Sequence, residues 1–409
     1  MLFYIRLVIT SVVLITQVAV ADTMPLERTS TITLSSLVQN IFEHHPARQA
    51  ELPRQQQISA NTNVAKALFS DPASASLNHY NDVVGSGDGY QEWEGSIDMP
   101  LWLPGQKQQQ LALSEKMAAQ LPSEQQQLLL EISAEIRDLI WQSSLAEVAS
   151  NQAYQTWQAA KKLEQDVNAR INAGELAGTE GLLAKAYSLE MHSRYMLLHA
   201  ELIQKLTHYQ QRTGEHQLPE IYEESLSSKT VIDAAHPSLA RLDQSIITLR
   251  AKQQLAQYDN ALNPSLSVGV RRERGDDSDS FSHSLGVGVS FALNDDVYRQ
   301  PAIANAAIAL ADVEITRQQL KRHLNTALSI QRHQLAAKQQ QLSLFSEHHK
   351  TTEQYVFLQQ RAFDLGEIDL VSLLNSQKLA NDSLNRSQLL AADIQYTIAK
   401  VNQALGIIL

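Results

Sequence analysis

The chain has 409 residues, 44% of them hydrophobic, enough apolar content for a packed fold rather than a disordered one. Its net charge of −11, one unit more negative without Arg6, argues against nucleic acid as a partner. The lack of cysteine excludes disulfides, thiolate metal sites, cysteine nucleophiles and a lipid-bearing N-terminal Cys.

Residues 1–21 read as a signal peptide, with Arg6 as the basic start, an apolar stretch over 7–20 and a small-residue cleavage site at Ala19-Val20-Ala21. A membrane anchor fits less well, because a span needs about 20 apolar residues and Thr10, Ser11, Thr16 and Gln17 interrupt this one. His45-Pro46 then introduces helical spacing over 47–68. Strands are expected over 73–81 and 92–101, around the polar turn VVGSGDG. From 106 to 171 Ala, Leu, Gln and Glu dominate, which predicts one helix of roughly 90 Å, kinked or briefly broken at Pro122. Gly174 ends that pattern, and 182–212 forms a returning helix.

The second half repeats this order. His45-Pro46 returns as His236-Pro237, Pro72 as Pro264, Gly174-Glu175-Leu176 as Gly366-Glu367-Ile368, and Leu182-Leu183 as Leu373-Leu374, every time 191 or 192 residues later. A constant offset indicates duplication, with a first repeat over 22–235 and a second over 236–409. Leu239, Leu242, Ile246 and Leu249 predict a helix over 238–262. Leu266, Val268 and Val270, then Leu285, Val287, Val289 and Phe291, alternate as strands around the loop ERGDDSDS. A second long helix over 301–363 places Pro301 in its first turn, and 372–405 returns. The fold class is mainly α with a small β part: two long helical hairpins and two β-hairpins. Gly174 and Gly366 mark the helical tips, where a positive φ is expected, and Gly178 is close enough to share the first turn.

Four strands of about ten residues can cross an outer membrane when tilted, but they cannot close a barrel alone. Other copies of the chain must complete it. Tyr80, Tyr90, Trp93 and Trp102 in the first hairpin and Phe281, Phe291 and Tyr298 in the second are candidate membrane-interface aromatics. The Ala-, Gln- and Ser-rich helices suit either the walls of a wet tunnel or a solvated coiled coil.

The leader, the twofold repeat, the His-Pro entries, the strand-to-long-helix order, and the tips Arg170 to Glu175 and Arg361 to Glu367 together resemble the TolC-like outer-membrane efflux proteins over essentially the whole mature chain. The resemblance implies a homotrimer, with twelve strands forming a barrel in the outer membrane of a Gram-negative bacterium and twelve helical strands forming a tunnel through the periplasm. It also implies that Arg170, Gly174, Glu175, Gly178, Arg361, Gly366 and Glu367 lie where a periplasmic adaptor (membrane fusion) protein docks and links to an inner-membrane efflux transporter. Best-known members carry acidic residues six and nine positions after the second tip glycine; here those positions hold Ser372 and Asn375. That anionic ring does not carry over, which leaves Glu180, Asp364 and Asp369, with Ser372 and Asn375, as candidate aperture residues.

The chemistry of an enzyme is missing. No H-E-x-x-H, G-x-S-x-G or P-loop pattern occurs, and GSGDG joins two strands instead of opening a helix. His44-His45 and His348-His349 point apart on a helix, and His192, His199 and His208 lack carboxylates at metal-ligand spacing. No cofactor or metal is expected. The expected function is an outer-membrane duct of a tripartite efflux pump, with heavy-metal cations one candidate cargo beside drugs and peptides. The competing reading is a soluble periplasmic coiled-coil adaptor or structural protein.

Overall fold

A computed structural model describes residues 27–258, 263–291, 293 and 296–409; the leader expected over 1–21 lies outside the described residues. Strand β1 (Arg28–Thr29) and helix α1 (Leu34–His44) come first. Sequence reading missed α1, although Thr33 and Ser36 form a reciprocal capping box at its start and Leu37, Val38 and Ile41 bury its apolar side. A short 3-10 turn, Pro46–Ala50, leads into α2 (Glu51–Lys66). The strands β2 (Ser74–Asn81) and β3 (Gln91–Pro100) follow, then α3 (Gln106–Asn172) and α4 (Gly178–Thr213). Strand β4 (Leu218–Pro219) pairs in parallel with β1. The order then recurs as α5 (Pro237–Leu255), β5 (Ser265–Arg274), β6 (Ser282–Ser290), α6 (Asp296–Asp364) and α7 (Leu370–Ala404).

The recurring His-Pro pair is a helix-starting device. His45 Nδ1 accepts from the Ala47 amide and His236 Nδ1 from the Ser238 amide, both at 3.2 Å, while the proline fills the first helical position where no N–H is needed. The prolines inside the long helices behave differently from expectation. Helix α3 runs its 67 residues, about 100 Å, without a break at Pro122. Pro301 sits in the second turn of α6 rather than the first. A single proline removes one ladder bond, about 3 kcal/mol. Helices of this length, held by packing along their flanks, absorb that loss.

Helix α3 packs on α4 and on α7, and α6 packs on α7, which gives a layer in the order α4-α3-α7-α6 with α4 and α6 at its edges. The two β-hairpins join through β3 and β5 into one antiparallel sheet, β2-β3-β5-β6, whose edge strands β2 and β6 have no partner among the described residues. At mid-height the extended segment after β4 is tied down by Arg137 of α3. Its guanidinium, 3% exposed, donates twice to Glu224 at 2.7 Å and once to the Ile407 carbonyl at 3.0 Å, so one buried cation fastens both the inter-repeat segment and the C-terminal residues. No described helix is long and apolar enough to cross a membrane.

Candidate functional site

The two tips are built alike. At the end of α3, Gly174 has φ +79° and the amides of Gly174 and Glu175 bond to the carbonyls of Ile171 and Arg170 at 3.0 and 2.9 Å. At the end of α6, Gly366 has φ +74° and the amides of Gly366 and Glu367 bond to Phe363 and Ala362 at 3.1 and 2.8 Å. Each set is a Schellman closure that needs a left-handed residue, and a Cβ at either glycine would meet nothing within 4 Å. The glycines are thus required by backbone conformation and not by crowding. Gly178 does not share the turn: it is the first residue of α4 and takes no positive φ. Gly181, which sequence reading passed over, lets the helices approach, since a Cβ there would lie 2.8 Å from Ile171 Cδ1.

The side chains of the two tips diverge. Arg170 reaches across to the other hairpin, bonding Asp364 at 2.5 Å with its guanidinium over the Phe363 ring, and Gln360 donates to the same carboxylate at 3.2 Å. Its counterpart Arg361 stays on its own helix over the exposed Phe357 ring. Asp364 is therefore already paired. Asp369 caps α7, accepting from the Ser372 amide at 2.9 Å; the hydrogen bond from the Ser372 side chain is the main cause holding its carboxyl below the usual range. Asn375 lines a cavity of about 390 Å³ between α3, α4 and α7. Glu175 and Glu367 are exposed at the tips, and Glu180 is half-buried in the first turn of α4. Beneath the tips Leu163, Val167, Ala184, Phe363, Leu370 and Leu373 form one buried cluster, so both tips rest on a shared core.

At the other end of the long helices, the register of the sheet separates its faces. One face carries Ala75, Ile97, Val268 and Val287 in one row, and Leu77, Gly95, Val270 and Leu285 in the next. The opposite face carries Ser74, Asp98, Ser267 and Gly288, then Ser76, Ser96, Gly269 and Gly286, then Asn78, Glu94, Arg271 and Ser284. The apolar face is open: Leu77 and Leu285 are each 72% exposed. The expected aromatics divide between these surroundings. Trp93 lies on the apolar face, while Tyr80 shares the polar face with Glu92 and Glu273. Tyr90 bonds Glu92 just before β3. Phe281 and Phe291 flank the two ends of β6. Trp102 lies past β3 and donates its indole N–H to the Ala67 carbonyl at 3.1 Å, and Tyr298 belongs to α6, not to the sheet.

The flanks of the helical layer show a third exposed pattern. Leu182, Leu189 and Met196 recur every seven residues along α4, and Ile330, Leu344 and Leu358 recur at multiples of seven along α6, all exposed. No described helix covers these seams. Among the described residues no group of three His, Asp or Glu side chains is placed to hold a metal ion.

No protein-family model matches the sequence, and no curated protein matches it. Solved structures do. The outer membrane protein VceC of Vibrio cholerae aligns with 91% of this chain and 96% of its own length, with a TM-score of 0.69 at 14% identity. The outer membrane channel CmeC of Campylobacter jejuni aligns with 91% of this chain and 85% of its own, with a TM-score of 0.68 at 13% identity. CusC, whose structures concern folding and transmembrane channel formation, aligns with 94% of this chain and 93% of its own, with a TM-score of 0.70 at 13% identity. At these identities the likeness is one of fold: the chain has the TolC-like architecture of outer-membrane channels.

Proposed function

We propose that the chain is the outer-membrane duct of an efflux system, a passive conduit that receives cargo from an adaptor and an inner-membrane transporter. The observation that carries this reading is the four-stranded sheet with one uncovered face that is apolar through its Ile97 and Leu77 rows, a polar opposite face, and two edges unpaired among the described residues. In water that face exposes leucines and valines, and in lipid the open edges cost several kcal/mol per unsatisfied backbone group. Both problems vanish when copies join edge to edge into a closed barrel with the apolar face toward lipid. Three copies give twelve strands and a water-filled interior, whereas two give eight and a filled one. The heptad-spaced seams on α4 and α6 support the same closure below the membrane, since each edge helix meets the opposite edge of the next copy. Trp93, Phe281 and Phe291 suit the membrane interfaces better than Tyr80 or Tyr90.

The boundaries 22–235 and 236–409 are proposed as two copies of one ancestral unit, and the tips as the periplasmic mouth where the adaptor docks through Arg361, Gly174, Gly366, Glu175 and Glu367. A soluble adaptor is disfavoured by the uncovered sheet face, which a water-borne protein has no means to hide. Fractionation and mass measurement test the duct. The mature protein should require detergent for extraction and give a trimeric mass; release as a soluble monomer on osmotic shock would remove the duct reading.

A further inference from the structure

The apolar face of the sheet changes character toward its loop end. After the row of Leu77, Gly95, Val270 and Leu285 comes a row of His79, Trp93, Arg272 and His283, and beyond it lies Arg274. Within the four strands this face carries two arginines, two histidines and no carboxylate; Glu92, Glu94 and Glu273 all lie on the opposite face. Arg274 is neutralised by Asp277 at 2.7 Å. Arg272 is not: its guanidinium is exposed, 4.0 Å over the Phe281 ring, and makes no ion pair with any described residue. Strand β5 is an inner strand, so joining copies through β2 and β6 leaves this row uncovered.

We propose that Arg272, braced by Phe281 and flanked in its row by Trp93 and His283, binds a phosphate of an anionic glycolipid headgroup in the outer leaflet. The inference rests on the membrane-spanning reading of the sheet. Arg272 lies six positions beyond Leu266, about 20 Å along the strand and about 15 Å in height at the usual barrel tilt, which places the guanidinium at the loop-side end of the apolar rows. A cation at that edge, facing away from every carboxylate of the four strands, needs a counter-ion, and the described strands offer none on that face. Lipid phosphate is the anion present at that depth, and a planar guanidinium held flat on an aromatic ring presents its N–H edge for two parallel bonds to phosphate oxygens.

The test uses the full mature chain in phosphatidylcholine nanodiscs doped with either phosphorylated or dephosphorylated lipid A, with the retained glycolipid counted by mass spectrometry after washing. The wild-type chain should retain the phosphorylated form preferentially, and Arg272→Gln should cut that preference about tenfold, the effect of losing one charge-assisted contact. Arg271→Gln, on the opposite face, should leave it unchanged. Equal retention of the two lipids by the wild-type chain, or an unchanged preference in Arg272→Gln, overturns the site. Displacement by inorganic phosphate overturns the lipid assignment in favour of a free anion. A nitroxide on Val270→Cys, available because the chain has no other cysteine, separates this from the underlying reading. Lipid contact at Val270 with no phosphate preference sinks the headgroup site alone, whereas water contact at Val270 in the assembled protein sinks the membrane-spanning sheet and the site with it.

Discussion

Leu373 at the helical tips is fully buried, and Leu285 in the sheet is 72% exposed. Both belong to regular elements in the same chain, and what separates them is whether a second element covers their face. At the tips two helical hairpins lean together, so Leu373 is enclosed by Leu163, Val167, Phe363 and Leu370. The sheet has a single layer, and no described element packs on the face that holds Leu285. The helical part therefore carries its core within one chain, while the sheet needs lipid and other copies to complete it. An exposed leucine row is here a statement about surroundings rather than a packing defect.

The sharpest way to break the comparison is at mid-height of the helical part. Arg137→Ala leaves the largely enclosed Glu224 carboxylate without its cation and frees the C-terminal residues, and should cost about 3–5 kcal/mol, read as a large fall in the thermal midpoint of the detergent-solubilised protein. Leu373→Ala should cost about 2–5 kcal/mol by the same measurement, whereas Leu285→Ala should change it by less than about 0.5 kcal/mol. Equal effects at the two leucines would mean that the sheet face is covered by protein after all. At the turns, Gly366→Val forces a β-branched residue into a left-handed conformation and should cost about 1–2 kcal/mol, confined to the tip and visible as faster amide exchange there, with assembly intact. Gly178→Ala should be neutral or slightly stabilising, because that residue is an ordinary helical one.

The smallest effect is one of pH. Burial, partly opposed by Asp233 and reinforced by Lys229, lowers the pKa of His236 below its ordinary value. The unfolded chain then takes up the proton first as pH falls, so the helical part keeps its full stability above about pH 6.5 and loses some of it below. Thermal midpoints compared between neutral and mildly acidic buffer should show that loss, and His236→Gln should flatten it.

Tyr209 and Tyr396 show how far burial reaches within the helical part. Both hydroxyls are pushed up by desolvation, Tyr209 to about 12, and each is satisfied internally, by the Gln217 carbonyl at 3.0 Å and by Asp138 at 2.6 Å. Polar atoms at that depth are tolerated because they are paired.

The sequence by itself determined the local elements and their order. Period-two alternation specified the strands, long breaker-free runs the helices, and the repeated glycines the turns, because each of these is dictated by neighbours within a few residues. It also determined that the strands could not close alone. Helix α1 was legible in the sequence as well, since Leu34, Leu37, Val38 and Ile41 recur at helical spacing behind the Thr33–Ser36 capping box, but it spans only eleven residues and was passed over. Only the tertiary structure decided that Arg170 crosses to Asp364 while Arg361 does not, since duplicated residues with identical local grammar differ in what the other hairpin places opposite them. Only the register decided that Tyr80 turns toward the polar face and Arg272 toward the apolar one. A strand's alternation tells which residues share a face, but pairing with its neighbours decides what stands beside them, and that pairing joins residues as far apart in sequence as Gln91 and Arg274.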